Sequence, residues 1–279
     1  MLGNEIYQFA RELFPINRSI TGEGVRKTLQ KISKHLPTLQ IKSVPTGTKV
    51  FDWTVPKEWE IKDAYISDQN GKKICDFKKN NLSVVGYSEK IKSTLSLKEL
   101  KNHIYTLRNQ PNYIPYVTSY YKKRWGFCMS YKQFKKLPNK DYNVLINSRH
   151  FRGVMNYGEI LIKGKSKKEV MFSTNICHPS MANNELSGIT LNMALAKLLS
   201  KRKKLNYSYR LIFIPETIGS IYYIKKNYKR LTNNLLCGYV LSCVGDEKNY
   251  SIINSRYKNN LSEKILEVIL KNKKNLKKY

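Results

Sequence analysis

Three apolar segments in the second half of the chain each run into a polar loop, and a helical pattern follows. The segments cover residues 170–176, 209–214 and 236–244, and the helix after the first opens at Ser187 and Gly188. This strand–loop–helix alternation is typical of a parallel sheet covered by helices on both faces. We therefore predict an α/β fold with a mainly parallel central sheet.

The three loops carry side chains that are suited to catalysis or to metal binding. His178 follows the first segment, Glu216 the second and Asp246 the third. The carboxyl ends of parallel strands meet at one edge of a sheet, so we expect these three side chains to line one cleft. An imidazole and carboxylates in a cleft are typical of a zinc or hydrolytic site.

The middle of the chain has a different pattern, with short alternating runs separated by turns. Asn70-Gly71 between two such runs indicates a tight β-hairpin. We interpret residues 50–138 as a β-rich domain that is nested in the α/β domain. Residues 1–49 and 139–279 would then form the α/β domain.

Several motifs resemble those of one known group. They lie at residues 18–24, 51–56, 121–128, 176–188, 214–220 and 243–246. The chain resembles bacterial proteins that have an aminopeptidase-like domain and are often associated with polysaccharide biosynthesis. These proteins are similar, at a distance, to the zinc-dependent aminopeptidases, and the resemblance implies their fold and a peptide or amide substrate.

The resemblance also implies a set of metal ligands. His178 and Asp246 match ligand positions, and Asn184 stands where the aminopeptidases carry an aspartate that bridges two zinc ions. An amide oxygen is a weaker ligand, so Glu185 would assist or replace it. The chain has no histidine after His178 to match a further ligand of those enzymes. We expect one zinc ion at most to be well bound.

The catalytic and substrate-binding positions follow from the same resemblance. Glu216 matches the general base, whereas Thr217 replaces a ligand glutamate. Four residues are expected to contact the substrate: Arg18, Ser19, Thr21 and Asn183. Turn and capping chemistry explains the first three equally well.

Two alternatives to a zinc hydrolase remain open. The missing ligands favour a non-catalytic binding or scaffold protein on the same fold. Cys177 beside His178 raises the further possibility of a thiol nucleophile, although neighbours on a strand point to opposite faces. The five cysteines have no metal-type spacing, which favours free thiols in a reducing compartment.

The formal net charge of +31 invites a nucleic-acid interpretation. Lysine, however, accompanies abundant asparagine, isoleucine and tyrosine, which is the bias of an AT-rich genome. No known nucleic-acid motif is present, so we expect no specific nucleic-acid partner. The sequence also has no membrane-span pattern and no signal-peptide pattern, and we expect a cytoplasmic protein.

Overall fold

The computed structural model describes residues 2–257 and 259–279, which form seven α-helices and fifteen strands. The helices are α1 (Leu2–Leu13), α2 (Glu23–His35), α3 (Leu97–Leu100), α4 (Tyr131–Lys135), α5 (Ser187–Ser200), α6 (Ile218–Asn234) and α7 (Leu261–Leu270). The first eight strands are β1 (Gln40–Pro45), β2 (Lys49–Val50), β3 (Trp53–Thr54), β4 (Glu58–Ser67), β5 (Lys73–Asp76), β6 (Ile91–Ser96), β7 (Ile104–Tyr105) and β8 (Phe127–Cys128). The others are β9 (Asp141–Phe151), β10 (Val154–Ile162), β11 (Glu169–Asn175), β12 (Ser208–Ile214), β13 (Leu235–Val240), β14 (Tyr250–Ile252) and β15 (Leu276–Lys278).

The central sheet has five strands in the order β1-β10-β12-β11-β13. β11 is parallel to both β12 and β13, whereas β10 is antiparallel to both β1 and β12. The sheet is therefore mixed, and the predicted mainly parallel arrangement is not confirmed. Only residues 163–168 join β10 to β11. A parallel crossover needs a dozen or more residues, so β10 must run against β11.

Alternating residues of β12 send apolar side chains to the two faces of this sheet. Leu211 and Phe213 pack in a core with α1, α2 and α5. Ile212 and Ile214 belong to a second core, which also contains Ile218 of α6. The two-residue period of a strand thus explains why the sheet is covered on both faces.

A second sheet, in the order β5-β4-β9-β6, is antiparallel throughout. The predicted hairpin at Asn70–Gly71 is confirmed, since β4 pairs with β5 and Gly71 has a φ of 80°. We call residues 46–151 the β-rich lobe. β9 lies after residue 138, so this sheet extends past the predicted boundary, and the division into two domains stays a prediction.

No helix in residues 2–257 and 259–279 combines the length and the apolar character that a membrane crossing requires.

A buried group of charges joins three strands of the central sheet. The Arg210 guanidinium on β12 lies 2.8 Å from both carboxylate oxygens of Glu169 on β11. Its Nη1 is 3.1 Å from Oε1 of Glu159 on β10. All three residues are buried. Desolvating charges is costly, so each depends on its partners to remain in the interior.

We predict that Arg210→Met lowers the free energy of unfolding by roughly 1.5–3 kcal/mol, because two buried carboxylates lose their common partner and each keeps only one more exposed cation. Urea titration followed by circular dichroism measures this loss. The control is Arg149→Met, which removes the exposed ion pair with Glu60 and should cost less than about 1 kcal/mol. Equal losses in the two variants would contradict the prediction.

Candidate active site at the ends of β11 and β12

His178 and Glu216 lie side by side at one edge of the central sheet. His178 comes three residues after the end of β11, and Glu216 comes two residues after the end of β12. Because the two strands are parallel neighbours, both loops leave the same edge. Nε2 of His178 is 2.9 Å from Oε1 of Glu216. His178 is buried, whereas the carboxylate of Glu216 is partly open to solvent.

The Nδ1 edge of the imidazole meets the loop that follows His178. A single π-helical turn, Ala182–Leu186, opens α5 and carries two of the predicted ligands. Nδ1 of His178 is 2.7 Å from Oδ1 of Asn184 and 3.0 Å from Oε2 of Glu185. Glu185 also accepts a short hydrogen bond from the backbone N–H of His178. The structure thus brings four of the predicted residues together.

Arg18 supports this group from inside the protein. Its Nε donates to the carbonyl oxygen of His178 at 3.0 Å, and its Nη1 donates to that of Leu13 at 2.8 Å. The same Nε is 3.4 Å from Oε1 of Glu185, and neither side chain has any solvent exposure. Burial lowers the pKa of Arg18, and the charge of Glu185 opposes that shift. Arg18 therefore holds the backbone of His178 and neutralises Glu185.

The protonation states at the site follow from these contacts. Burial alone would lower the pKa of His178, but hydrogen bonds with Cys177, Glu185 and Glu216 raise it above its ordinary value. The hydrogen bond with His178 lowers the pKa of Glu216, and burial opposes this effect. These contacts therefore favour the charged form of the imidazole when no metal is bound.

The remaining predicted substrate contacts have hydrogen-bond partners outside this group. Ser19 and Thr21 are buried, and Ser19 Oγ donates to the carbonyl oxygen of Thr21 at 2.6 Å. Thr21 makes a short hydrogen bond with the Tyr87 hydroxyl of the β-rich lobe. Asn183 is exposed, and its Oδ1 accepts the N–H of Gly245 at 2.9 Å. Their contact with a substrate stays a prediction.

Asp246 does not join the group. It is exposed, and its Oδ1 accepts the N–H of Lys248 at 2.7 Å. Within the described residues, no hydrogen bond or ion pair of Asp246 reaches His178 or Glu216. The predicted third strand was too long, because β13 ends at Val240, six residues before Asp246.

Sequence reasoning set Cys177 aside, yet its thiol faces the site. Its Sγ accepts the N–H of Glu216 at 3.3 Å. Ligand atoms of Cys177, His178 and Glu185 all lie within 4.8 Å of one another. The strand alternation that would separate Cys177 from His178 no longer applies, since β11 ends at Asn175. Burial raises the pKa of Cys177 to about 11, so the thiol is protonated at neutral pH.

The β-rich lobe contributes an aromatic wall that the sequence did not reveal. The Tyr116 ring meets the His178 ring edge to face, with the centroids 5.0 Å apart. The hydroxyls of Tyr116 and Tyr120 are 2.8 Å apart, and burial raises the pKa of both. Both hydroxyls therefore stay protonated and can donate hydrogen bonds.

The donor atoms fit one zinc ion better than two. An imidazole nitrogen, carboxylate oxygens and an amide oxygen are donors that zinc accepts, and here they surround a single histidine. Oε1 of Glu185 is buried without a hydrogen-bond partner among the described residues. The positive guanidinium of Arg18 lies beside Glu185 Oε1 and would repel a second ion at that oxygen.

A family model described as a domain of unknown function, DUF4910, matches residues 7–279. The chain is also 48% identical over 270 residues to a Clostridium acetobutylicum protein named for polysaccharide biosynthesis and an aminopeptidase-like domain. That match covers 96% of this chain and 61% of the relative. The resemblance found in the sequence motifs is confirmed.

Two solved structures are similar to this one. A candidate peptidase from Clostridium acetobutylicum is 46% identical with a TM-score of 0.94, and the match covers 99% of this chain and 66% of that one. A zinc aminopeptidase from Bacillus subtilis is 12% identical with a TM-score of 0.61, over 90% of this chain and 72% of that one. The second likeness shows a common α/β fold alone. The chain spans less than two thirds of the length of its two Clostridium relatives.

The two thiols nearest the candidate site should differ in reactivity towards iodoacetamide. Cys177 is buried with a raised pKa, whereas Cys243 is exposed. The thiolate is the reactive form, so native protein at mildly alkaline pH should be alkylated at Cys243 first. Peptide mass spectrometry measures the order, and protein unfolded in urea is the control. Equal labelling of Cys177 in native protein would instead favour the thiol nucleophile.

Proposed function

The chain belongs to the DUF4910 family, and on that premise we propose that it is an aminopeptidase-like hydrolase that cleaves a peptide or amide bond. The observation that carries the proposal is the pairing of His178 with Glu216, 2.9 Å apart at the ends of two parallel strands. Ligands in α/β proteins bind at this edge of the sheet. The aminopeptidase-like domain in the name of the relative supports the same reaction class.

In this proposal Glu216 takes the proton of the attacking water. Its lowered pKa keeps it ionised, and its partial exposure lets a substrate approach. A carboxylate in contact with a positioned imidazole can accept a proton at the reacting atom. Tyr116, whose hydroxyl stays protonated, meets the imidazole edge to face and can donate a hydrogen bond to the carbonyl of the substrate.

One zinc ion is part of the proposal. His178 would hold it with oxygens of Asn184 and Glu185, and Asp246 stays a predicted fourth ligand. Bound zinc would polarise the substrate carbonyl and acidify a water molecule. Arg18 acts on this chemistry by fixing the backbone of His178 and the orientation of Glu185.

The biological setting is also a proposal. The relative named for polysaccharide biosynthesis supports a role in polysaccharide assembly. A link to the cell surface, a peptide or amide substrate and a cytoplasmic location stay predictions. We further propose that the β-rich lobe is a nested domain whose sheet extends to residue 151.

A non-catalytic protein on the same fold is the second candidate. The guanidinium of Arg18 already neutralises Glu185, and Asn184 and Thr217 replace two acidic positions of the aminopeptidase pattern. These replacements weaken a metal centre without disturbing the fold. Zinc binding and turnover distinguish the two candidates.

The first test is hydrolysis of a panel of aminoacyl amides and dipeptides by zinc-loaded protein. We expect slow turnover that Glu216→Gln reduces by roughly 10²–10⁴-fold, since the general base is lost. The control is Glu247→Gln, which neutralises an exposed carboxylate next to Asp246. Absence of turnover, or turnover that Glu216→Gln leaves unchanged, would favour the non-catalytic candidate.

The second test measures zinc affinity directly by competition with a chromophoric chelator. His178→Ala should weaken zinc binding by more than about 100-fold. Loss of a residue that merely contacts a metal ligand already lowers metal affinity by roughly 10–100-fold, and loss of the ligand itself should cost more. His35→Ala is the control, since His35 is exposed at the end of α2. Equal affinities of the two variants would argue against a metal at this site.

A further inference from the structure

A second concave site lies on the β-rich lobe, apart from the candidate active site. It is a cleft of about 420 Å³ between β7 with its preceding turn and α4. It shares no lining residue with the group around His178. Its volume is in the range of small-molecule pockets, which is roughly 300–1,000 Å³.

The cleft is positively charged. Lys101, Arg108 and Lys135 line it, and no acidic residue does. None of these three cations forms an ion pair with a carboxylate in residues 2–257 and 259–279. The surrounding segment, residues 97–140, contains ten Lys or Arg residues and one acidic residue, Glu99. Glu99 is itself engaged at the start of α3, where it accepts hydrogen bonds from Ser96. The cleft therefore favours an anion.

Two aromatic rings form one wall of the cleft. Tyr131 and Phe134 lie three residues apart on α4, and their ring centroids are 6.3 Å apart with a tilt of 35°. The guanidinium of Arg108 lies 6.0 Å from the centre of the Tyr131 ring. Aromatic rings and a guanidinium are the groups on which nucleobases stack.

Helix α4, which carries Tyr131 and Phe134, is held in place by hydrogen bonds without any ligand. The Ser130 hydroxyl caps α4 by accepting the N–H of Gln133 at 3.1 Å. The side chain of Gln133 donates to the carbonyl oxygen of Ile74 at 2.6 Å, which anchors α4 on the second sheet. The backbone N–H of Lys132 donates to the carbonyl oxygen of Pro111 at 3.0 Å. A preformed wall spares a ligand the entropic cost of ordering it.

We propose that this cleft binds a nucleoside diphosphate group. The base would stack on Tyr131 and Phe134, and the phosphates would contact Lys101, Arg108 and Lys135. Three cations match the charge of a diphosphate better than that of a single carboxylate. The two rings offer a stacking surface for a base, which a ligand without a base would not use. The diphosphate is either free or joined to a sugar.

The test is isothermal titration of the complete chain with UDP, ADP, UDP-glucose and inorganic pyrophosphate at near-physiological salt. We expect a nucleoside diphosphate to bind more tightly than pyrophosphate. Tyr131→Ala should weaken nucleotide binding about tenfold with little effect on pyrophosphate, since the Tyr131 ring, unlike that of Phe134, does not pack against the hydrophobic core. Arg108→Gln should weaken the binding of all these ligands. UDP-glucose binding as tightly as UDP would identify the sugar-linked form, and weaker binding would identify the free diphosphate.

The matched control is Lys92→Gln, which removes one exposed cation from β6, outside the cleft. Circular dichroism of each variant establishes that it is folded. Three results would each overturn the proposal. One is no binding at millimolar nucleotide, and another is equal weakening by Lys92→Gln and Arg108→Gln, which indicates diffuse charge. The third is tighter binding of a single-stranded oligonucleotide than of any nucleoside diphosphate.

Discussion

The buried ion pair between Arg18 and Glu185 is the interaction on which the candidate site depends. It connects the loop between α1 and α2 to the π-helical turn before α5, and both side chains are fully buried. A charge left alone in this position would cost several kcal/mol, so each residue holds the other in place. The same two side chains hold the backbone of His178 from both sides, through its carbonyl oxygen and its N–H. The position of the imidazole is therefore set by buried electrostatics more than by its own strand.

The parallel pairing of β11 with β12 supplies the second constraint. It fixes the distance between the ends of the two strands, and the chain then changes direction sharply at each end. Thr217, directly after Glu216, has a φ of 55°, and Ser180, two residues after His178, has a φ of 35°. Such backbone conformations are costly for residues other than glycine and are frequent at functional sites. Here they turn the chain within a few residues, so that His178 and Glu216 stay at the edge of the sheet.

The sequence predicted the part of the fold that local periodicity determines. The apolar runs that end before His178 and Glu216 are strands, and Ser187 begins a helix, as the pattern indicated. Strand direction could not be predicted as well, because the pairing of β1 with β10 depends on residues more than a hundred positions apart. The predicted end of β13 was also wrong, since the apolar run continues through Val244 whereas the strand ends at Val240. Cys177 was set aside because strand alternation was expected to turn it away from His178, but β11 ends before it; Tyr116 was missed because only a tertiary contact brings it to His178.

The β-rich lobe and the central sheet share more than a covalent connection. One hydrophobic core contains Trp59 and Phe127 of the lobe together with Ile212 and Ile214 of β12. β9 continues almost directly into β10, so a strand of the lobe leads into a strand of the central sheet. Tyr116 then extends from the lobe to the ring of His178. Because packing couples the lobe to β12, which precedes Glu216, the shared core holds Tyr116 in a defined position beside His178. The lobe thus forms part of the candidate site, since it contributes Tyr116 beside an imidazole that the central sheet positions.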